Sequence, residues 1–148
     1  MGSVESLSNI LVVVDEAYFE FVRSPDRWSA LEYLDRWPQI VCLRTMSKVY
    51  GLAGIRLGIL FAQPEIVDWL NRVRNPFNVN VVAQKGAIAA IHDQSYVRQV
   101  CSGTWDGLDY FYLELKKMGI NYWPSQANFI LFDTGQKASH VFKKQLKK

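Results

Sequence analysis

The sequence predicts an α/β protein, on three observations. Short β-branched runs alternate with segments of helical periodicity. The first such run, Ile-Leu-Val-Val-Val at residues 10–14, is apolar on both faces, which suits a strand inside a parallel sheet. After about residue 100 a long helix leads into two short strands and a final helix, so a second, smaller unit begins there. The expected division is residues 1–100 and residues 101–148.

Each element has its own signal. Pro25 opens a helix with Trp28, Leu31, Leu34 and Tyr33 or Trp37 on one face, and Pro38 ends it. Residues 40–43 and 55–62 read as the second and third strands. Pro64 starts a helix carrying Ile66, Val67, Leu70 and Val73 at helical spacing. Residues 79–92 are apolar almost all round, which predicts a buried helix. A long helix follows from Ser95, taken as its N-cap, to Met118, with Val97, Cys101, Leu108, Phe111, Leu115 and Met118 inward and Gly119 as its C′ residue. Gly103 and Gly107 are candidate bending points, where a hinge between two lobes would lie. Strands at 121–123 and 128–132 and a helix at 138–146 complete the chain. Three sheet strands are too few to cover both faces of a doubly wound sheet, so the chain reads as incomplete.

Composition narrows the class. The 148 residues are 49% hydrophobic and 21% charged, enough for a core and too few charges for disorder. The net charge of +3 rests on the tail lysines Lys143, Lys144, Lys147 and Lys148; without them 13 basic side chains face 14 acidic ones. That leaves no basic footprint for nucleic acid. No apolar run is long enough to span a bilayer, and no basic n-region precedes an apolar stretch, which predicts a soluble, cytoplasmic protein. Cys42 and Cys101 read as buried free thiols in a reducing compartment. His92 and His140 have no acidic or cysteine partner at ligand spacing, so no metal is expected.

The residues with chemical potential cluster at two strand ends. Lys48 lies between an apolar strand and the glycine-broken loop Tyr50-Gly-Leu-Ala-Gly54. An amine held there is partly desolvated, which favours its neutral, imine-forming state. Asp15 ends the first strand, where α/β sheets place ligands, and reads as a buried carboxylate able to pair a ring cation. Tyr18 can turn its hydroxyl to the same place. Ser47, Thr45 and Arg56 are hydroxyl and guanidinium donors suited to a phosphate, and Gly51 and Gly54 permit the tight path between Lys48 and Arg56. Taken singly each has an ordinary account: a surface lysine, a helix cap or solvated turn, a core tyrosine, a simple ion pair. The joint spacing lifts the functional one.

Five segments, Val-Val-Asp15-Glu-Ala-Tyr18, Thr45-Met-Ser47-Lys48, Gly54-Ile-Arg56-Leu-Gly58, Arg74-Asn-Pro-Phe-Asn-Val-Asn80 and Ser125-Gln-Ala-Asn128-Phe, resemble in order the fold-type I aminotransferases that depend on pyridoxal 5′-phosphate (PLP). Within them they resemble the histidinol-phosphate aminotransferase branch. The resemblance implies part of the mixed, mostly parallel sheet of the PLP-binding large domain at 1–100, then the start of a small α+β domain at 101–148. It implies that Lys48 is the catalytic Schiff-base lysine and proton shuttle. It further implies that Asp15 keeps the ring nitrogen protonated, that Tyr18 donates to the ring oxygen, and that Ser47, Arg56 and Thr45 hold the phosphate. An amino donor and a 2-oxo acid would be the substrates, in amino-acid biosynthesis, within a homodimer or other self-associated form.

Family members are more than twice this long. By that comparison the chain lacks the loop capping the phosphate, the aromatic that stacks on the ring, the asparagine at the ring oxygen and the arginine for the substrate carboxylate. Met1-Gly-Ser3 reads either as a cloning remnant or with Gly2 as the end of the family's Asn-Pro-Thr-Gly turn. Three functions follow: a transaminase segment, an inactive remnant of the fold, or a PLP-dependent decarboxylase of a phosphorylated amino acid. Little or no turnover is expected from these 148 residues alone.

Overall fold

The computed structural model describes residues 10–146; Met1-Gly-Ser3, Lys147 and Lys148 lie outside them. Strands β1 (Val12–Asp15), β2 (Ile40–Thr45) and β3 (Gly58–Phe61) form one mixed sheet in the order β1-β2-β3. β1 runs parallel to β2 with Asp15 level with Leu43, and β3 runs antiparallel to β2 with Gly58 opposite Thr45. Four helices follow or flank a hairpin: α1 (Pro64–Val73), α2 (Val81–His92), α3 (Gln94–Lys117), then strands β4 (Asn121–Trp123) and β5 (Leu131–Asp133) paired antiparallel, then α4 (Ala138–Gln145).

The helix expected from Pro25 is instead a single 3₁₀ turn, Ala30–Tyr33. Ser29 caps it in a reciprocal pair with Glu32. Only eight residues separate that cap from Pro38, whose ring disfavours helical backbone at Trp37. The third strand is shorter than expected, because Ala53–Ile55 is also a 3₁₀ turn and Arg56 is left-handed at φ 56°. α1 starts with Pro64 at its first turn, as expected. The N-cap of α3 is Asp93, which accepts from Tyr96 N–H at 3.0 Å and from Ser95 Oγ at 2.7 Å. Ser95 therefore supports the cap and does not form it. α3 continues unbroken through Gly103 and Gly107 and ends as expected: Gly119 is left-handed (φ 68°), its N–H reaches Lys116, and Ile120 N–H reaches Leu115.

The main core lies beneath the loop that follows β2. Phe21, Val49, Val97 and Cys101 form it, with Tyr18, Tyr50, Val100 and Trp105 against it. α3 thereby fastens the Lys48 loop from below. Cys42 and Cys101 are free and buried, as expected. α2 departs from expectation: only Ala83 and Ala87 are buried, while Val81, Val82 and Ile88 face outward. Phe111 of α3 and Met118, just past its end, are exposed as well. Among the described residues no helix is long and apolar enough to cross a membrane.

Candidate active site

The sheet brings Asp15, Tyr18, Lys48 and the Thr45–Ser47 turn to the same end of β1 and β2. Lys48 is half-buried, and its Nζ lies 4.9 Å from the centroid of the Tyr18 ring. Among the described residues it forms no ion pair. Thr45 Oγ1 accepts from Ser47 N–H at 3.1 Å, which turns the chain sharply after the strand. Met46 N–H then reaches Leu57 O at 3.1 Å, and Leu52 N–H reaches Met46 O at 3.0 Å. This knits the Lys48 loop to the residue beside Arg56. Arg56 is exposed, and its guanidinium folds back onto Ala53 O at 2.8 Å. A non-glycine residue in left-handed backbone costs on the order of 1 kcal/mol or more, which is the kind of strain that collects at working sites.

Asp15 differs from expectation. Its carboxylate is exposed, accepts from Ala17 N–H at 3.0 Å and has no cation partner among the described residues. It ends β1, which is an edge strand of the sheet among the described residues. A cleft of about 550 Å³ opens beside it, walled by Tyr18 and Phe19 on one side and Trp123, Gln126 and Phe129 on the other. Tyr18 and Phe129 meet edge to face at 5.3 Å across this cleft.

The buried carboxylate is the next residue, Glu16, which the sequence reading passed over. Glu16 accepts from Ser29 Oγ at 2.8 Å, Ala30 N–H at 2.6 Å and Arg44 Nε at 2.8 Å. Arg44 also donates to Glu20 at 2.9 Å and to Ser29 Oγ at 3.1 Å, and lies 4.0 Å from the centroid of Phe19. One signal was available: Arg44 is a charge inside the apolar strand Ile-Val-Cys-Leu-Arg-Thr, and such a charge requires a buried acid.

Burial alone pushes the Glu16 carboxyl up. The bonds from Ala30, Ser29 and Cys42 and the charge of Arg44 outweigh it and hold the group below its usual range. Burial and the neighbouring Glu16 push the Cys42 thiol up to about 11, so it stays protonated. The Glu16 shift has a direction for stability. The folded chain holds Glu16 ionised more strongly than the unfolded chain, so the unfolded state takes up more protons as pH falls through about 4.3. Urea midpoints should therefore be level from pH 7 to about 5 and fall below that, and Glu16→Gln should flatten this descent. An equally steep descent in the Gln variant would assign it to other carboxylates.

Comparisons with known proteins follow the same lines. The family model described as aminotransferase class I and II matches residues 4–148. A histidinol-phosphate aminotransferase of Bdellovibrio bacteriovorus is 46% identical over 141 residues, covering 95% of this chain and 38% of that protein. Histidinol-phosphate aminotransferase 2 of Carboxydothermus hydrogenoformans is 44% identical, covering 94% of this chain and 39% of that protein. The crystal structure of the Sinorhizobium meliloti histidinol-phosphate aminotransferase in complex with pyridoxal-5′-phosphate superposes with a TM-score of 0.82 at 32% identity, over 91% of this chain and 36% of that one. The chain thus spans well under half the length of the relatives it matches.

Proposed function

The chain belongs to the class I and II aminotransferases, and from that premise we propose that it works as the cofactor-binding segment of a PLP-dependent transaminase of the histidinol-phosphate type. One observation carries the reading: an amine, Lys48, and a carboxylate, Asp15, each without an ionic partner among the described residues, stand at neighbouring strand ends with Tyr18 beside them. That donor set fits PLP, which brings an aldehyde for the amine, a ring cation for the carboxylate, a ring oxygen for the phenol and a phosphate for hydroxyl and guanidinium donors.

When bound, PLP supplies the electron sink that stabilises negative charge at the donor's carbon. The chain's own residues do the rest. Lys48 Nζ would hold the cofactor and would carry the proton at the donor's carbon. Asp15 keeps the ring nitrogen protonated. Tyr18 donates from its hydroxyl, and Ser47, Thr45 and Arg56 hold the phosphate. Residues 1–100 serve as part of the PLP-binding large domain and residues 101–148 as part of the small one. The packing of α3 supports this: Val97 and Cys101 sit on the first unit's core, while Tyr112 stacks on Tyr122 of β4 at 5.0 Å. The exposed apolar residues Trp69, Val73, Phe77, Val81 and Val82 support self-association or a homodimer. The setting we propose is cytoplasmic, in histidine biosynthesis, with an amino donor and 2-oxoglutarate as substrates.

Titrating the purified chain with PLP and recording its absorbance tests the reading. A retained visible band is expected. Asp15→Asn should keep the cofactor weakly and lose the protonated-ring band, because a neutral amide cannot stabilise the ring cation. Identical spectra would refute the role of Asp15. Assayed with histidinol phosphate and 2-oxoglutarate, the chain alone should turn over little, since each missing preorganised contact costs about 10²–10³ in rate. A clean monomer with normal turnover would overturn this account of what the site needs.

A further inference from the structure

We infer that Arg44, through its fork onto Glu16 and Glu20, is a positioning residue that sets Lys48 against Asp15 and Tyr18. The proposal rests on the functional reading above and goes beyond it, because none of Arg44, Glu16 and Glu20 touches the cofactor in that reading.

Along one segment, Asp15, Glu16 and Tyr18 line the cleft, and Glu16 and Glu20 are bonded by Arg44. The two acids bracket Tyr18. Both are held by one guanidinium, at 2.7–2.8 Å for Glu16 and 2.9 Å for Glu20. A planar fork on two carboxylates fixes direction as well as distance. Glu16 is also tied through the main chain, since its N–H extends the β1–β2 ladder to Leu43 O at 2.9 Å. Asp15 therefore has almost no freedom to move relative to Arg44.

The path from Arg44 to Lys48 is equally stiff. Thr45 Oγ1 holds Ser47 N–H, Met46 is bonded through both its N–H and its carbonyl, and the Met46 and Val49 side chains are fully buried. Lys48 is thus carried on a segment with one anchor in the sheet, Arg44, and one in the core, Val49. Among the described residues, Arg44 is the one whose side chain joins this segment to both Glu16 and Glu20. The Ser29 and Ala30 bonds hold Glu16 from the side of the Ala30–Tyr33 turn, and its link to the Lys48 segment runs through Arg44 and through the Glu16 N–H bond to Leu43 O.

Such a device is read by geometry, not by stability. The test is to add PLP to the purified chain, reduce with borohydride and map the label, taking the ratio of label on Lys48 to label on the exposed Lys85. The unmodified chain should favour Lys48. Arg44→Lys keeps the charge and loses the fork. A misalignment of about 1 Å can cost on the order of 10²-fold where reacting atoms must be aligned, so the ratio should fall by roughly 10–10². Glu20→Gln leaves Glu16 in place and should give a smaller fall; it decides the matter if Arg44→Lys does not fold. Circular dichroism on each sample confirms that only folded protein is compared. A folded variant that keeps the parental ratio overturns the positioning role and leaves the function of Lys48 intact. A parental chain without preference for Lys48 overturns both.

Discussion

Lys48→Ala is expected to abolish covalent capture of PLP, so that borohydride leaves no pyridoxyl label on the peptide spanning residues 45–56. In a protein carrying the complete site, amino transfer should fall by about 10²–10⁴, the usual worth of a positioned proton-transfer group. The fold should survive. Lys48 contributes one cation over the Tyr18 ring at 4.9 Å, and such contacts are worth about 0.5–1 kcal/mol at partly exposed sites. Lys48→Arg separates the two roles. Its guanidinium preserves the cation over the ring, but it stays protonated and cannot form an imine. Thermal melts should therefore be unchanged in the Arg variant while the label is lost. Label retained at this peptide in Lys48→Ala, or found on the tail lysines in the parent, would remove Lys48 from its assigned role.

Local signals in the sequence carry through to the fold, and features that join distant residues leave weaker ones. Pro64, the 40–43 apolar run and Gly119 are local signals, and α1, β2 and the end of α3 follow them. The Pro25 segment has the apolar spacing of a helix, but Ser29, bonded to Glu16 and Arg44, caps the chain there and only the turn Ala30–Tyr33 forms. Ser95 and Asp93 are both good caps; which one serves depends on the exact first turn, which spacing alone does not decide. The 79–92 helix is apolar enough for a core, but burial needs a partner, and among the described residues little covers it. At the site, the motif residues were readable because their spacing is distinctive. The Glu16–Arg44 pair has no spacing signature, since it joins residues 28 apart in sequence across two strands. Asp15 and Glu16 are adjacent carboxylates, and only the backbone's path decides which one is buried.

That pair gives the largest expected effect on stability. Arg44→Met leaves Glu16 and Glu20 facing each other in a site where their side chains are 7% and 14% exposed, with no cation between them. Removing one partner of a buried ion pair typically costs about 3–5 kcal/mol, a large share of the roughly 5–15 kcal/mol that holds a domain together. Glu16→Ala should cost less than Arg44→Met, because Arg44 keeps Glu20 and Ser29 Oγ as acceptors. Its losses are the acceptor of Ala30 N–H, Ser29 Oγ and Arg44 Nε and the volume of a buried side chain. Combining the two substitutions removes charge from both sides at once. Only Glu20 is then left without its partner, and it lies closer to solvent than Glu16. The double variant should therefore be more stable than the sum of the single losses implies, by about 0.5–3 kcal/mol, the range seen for residues in one ionic network. Urea unfolding of the four proteins of this cycle measures it. Strict additivity would mean that Arg44 and Glu16 are neighbours without an energetic bond, and would assign the holding of the β1 and β2 ends to the Glu16 N–H bond to Leu43 and to the buried Met46 and Val49 instead.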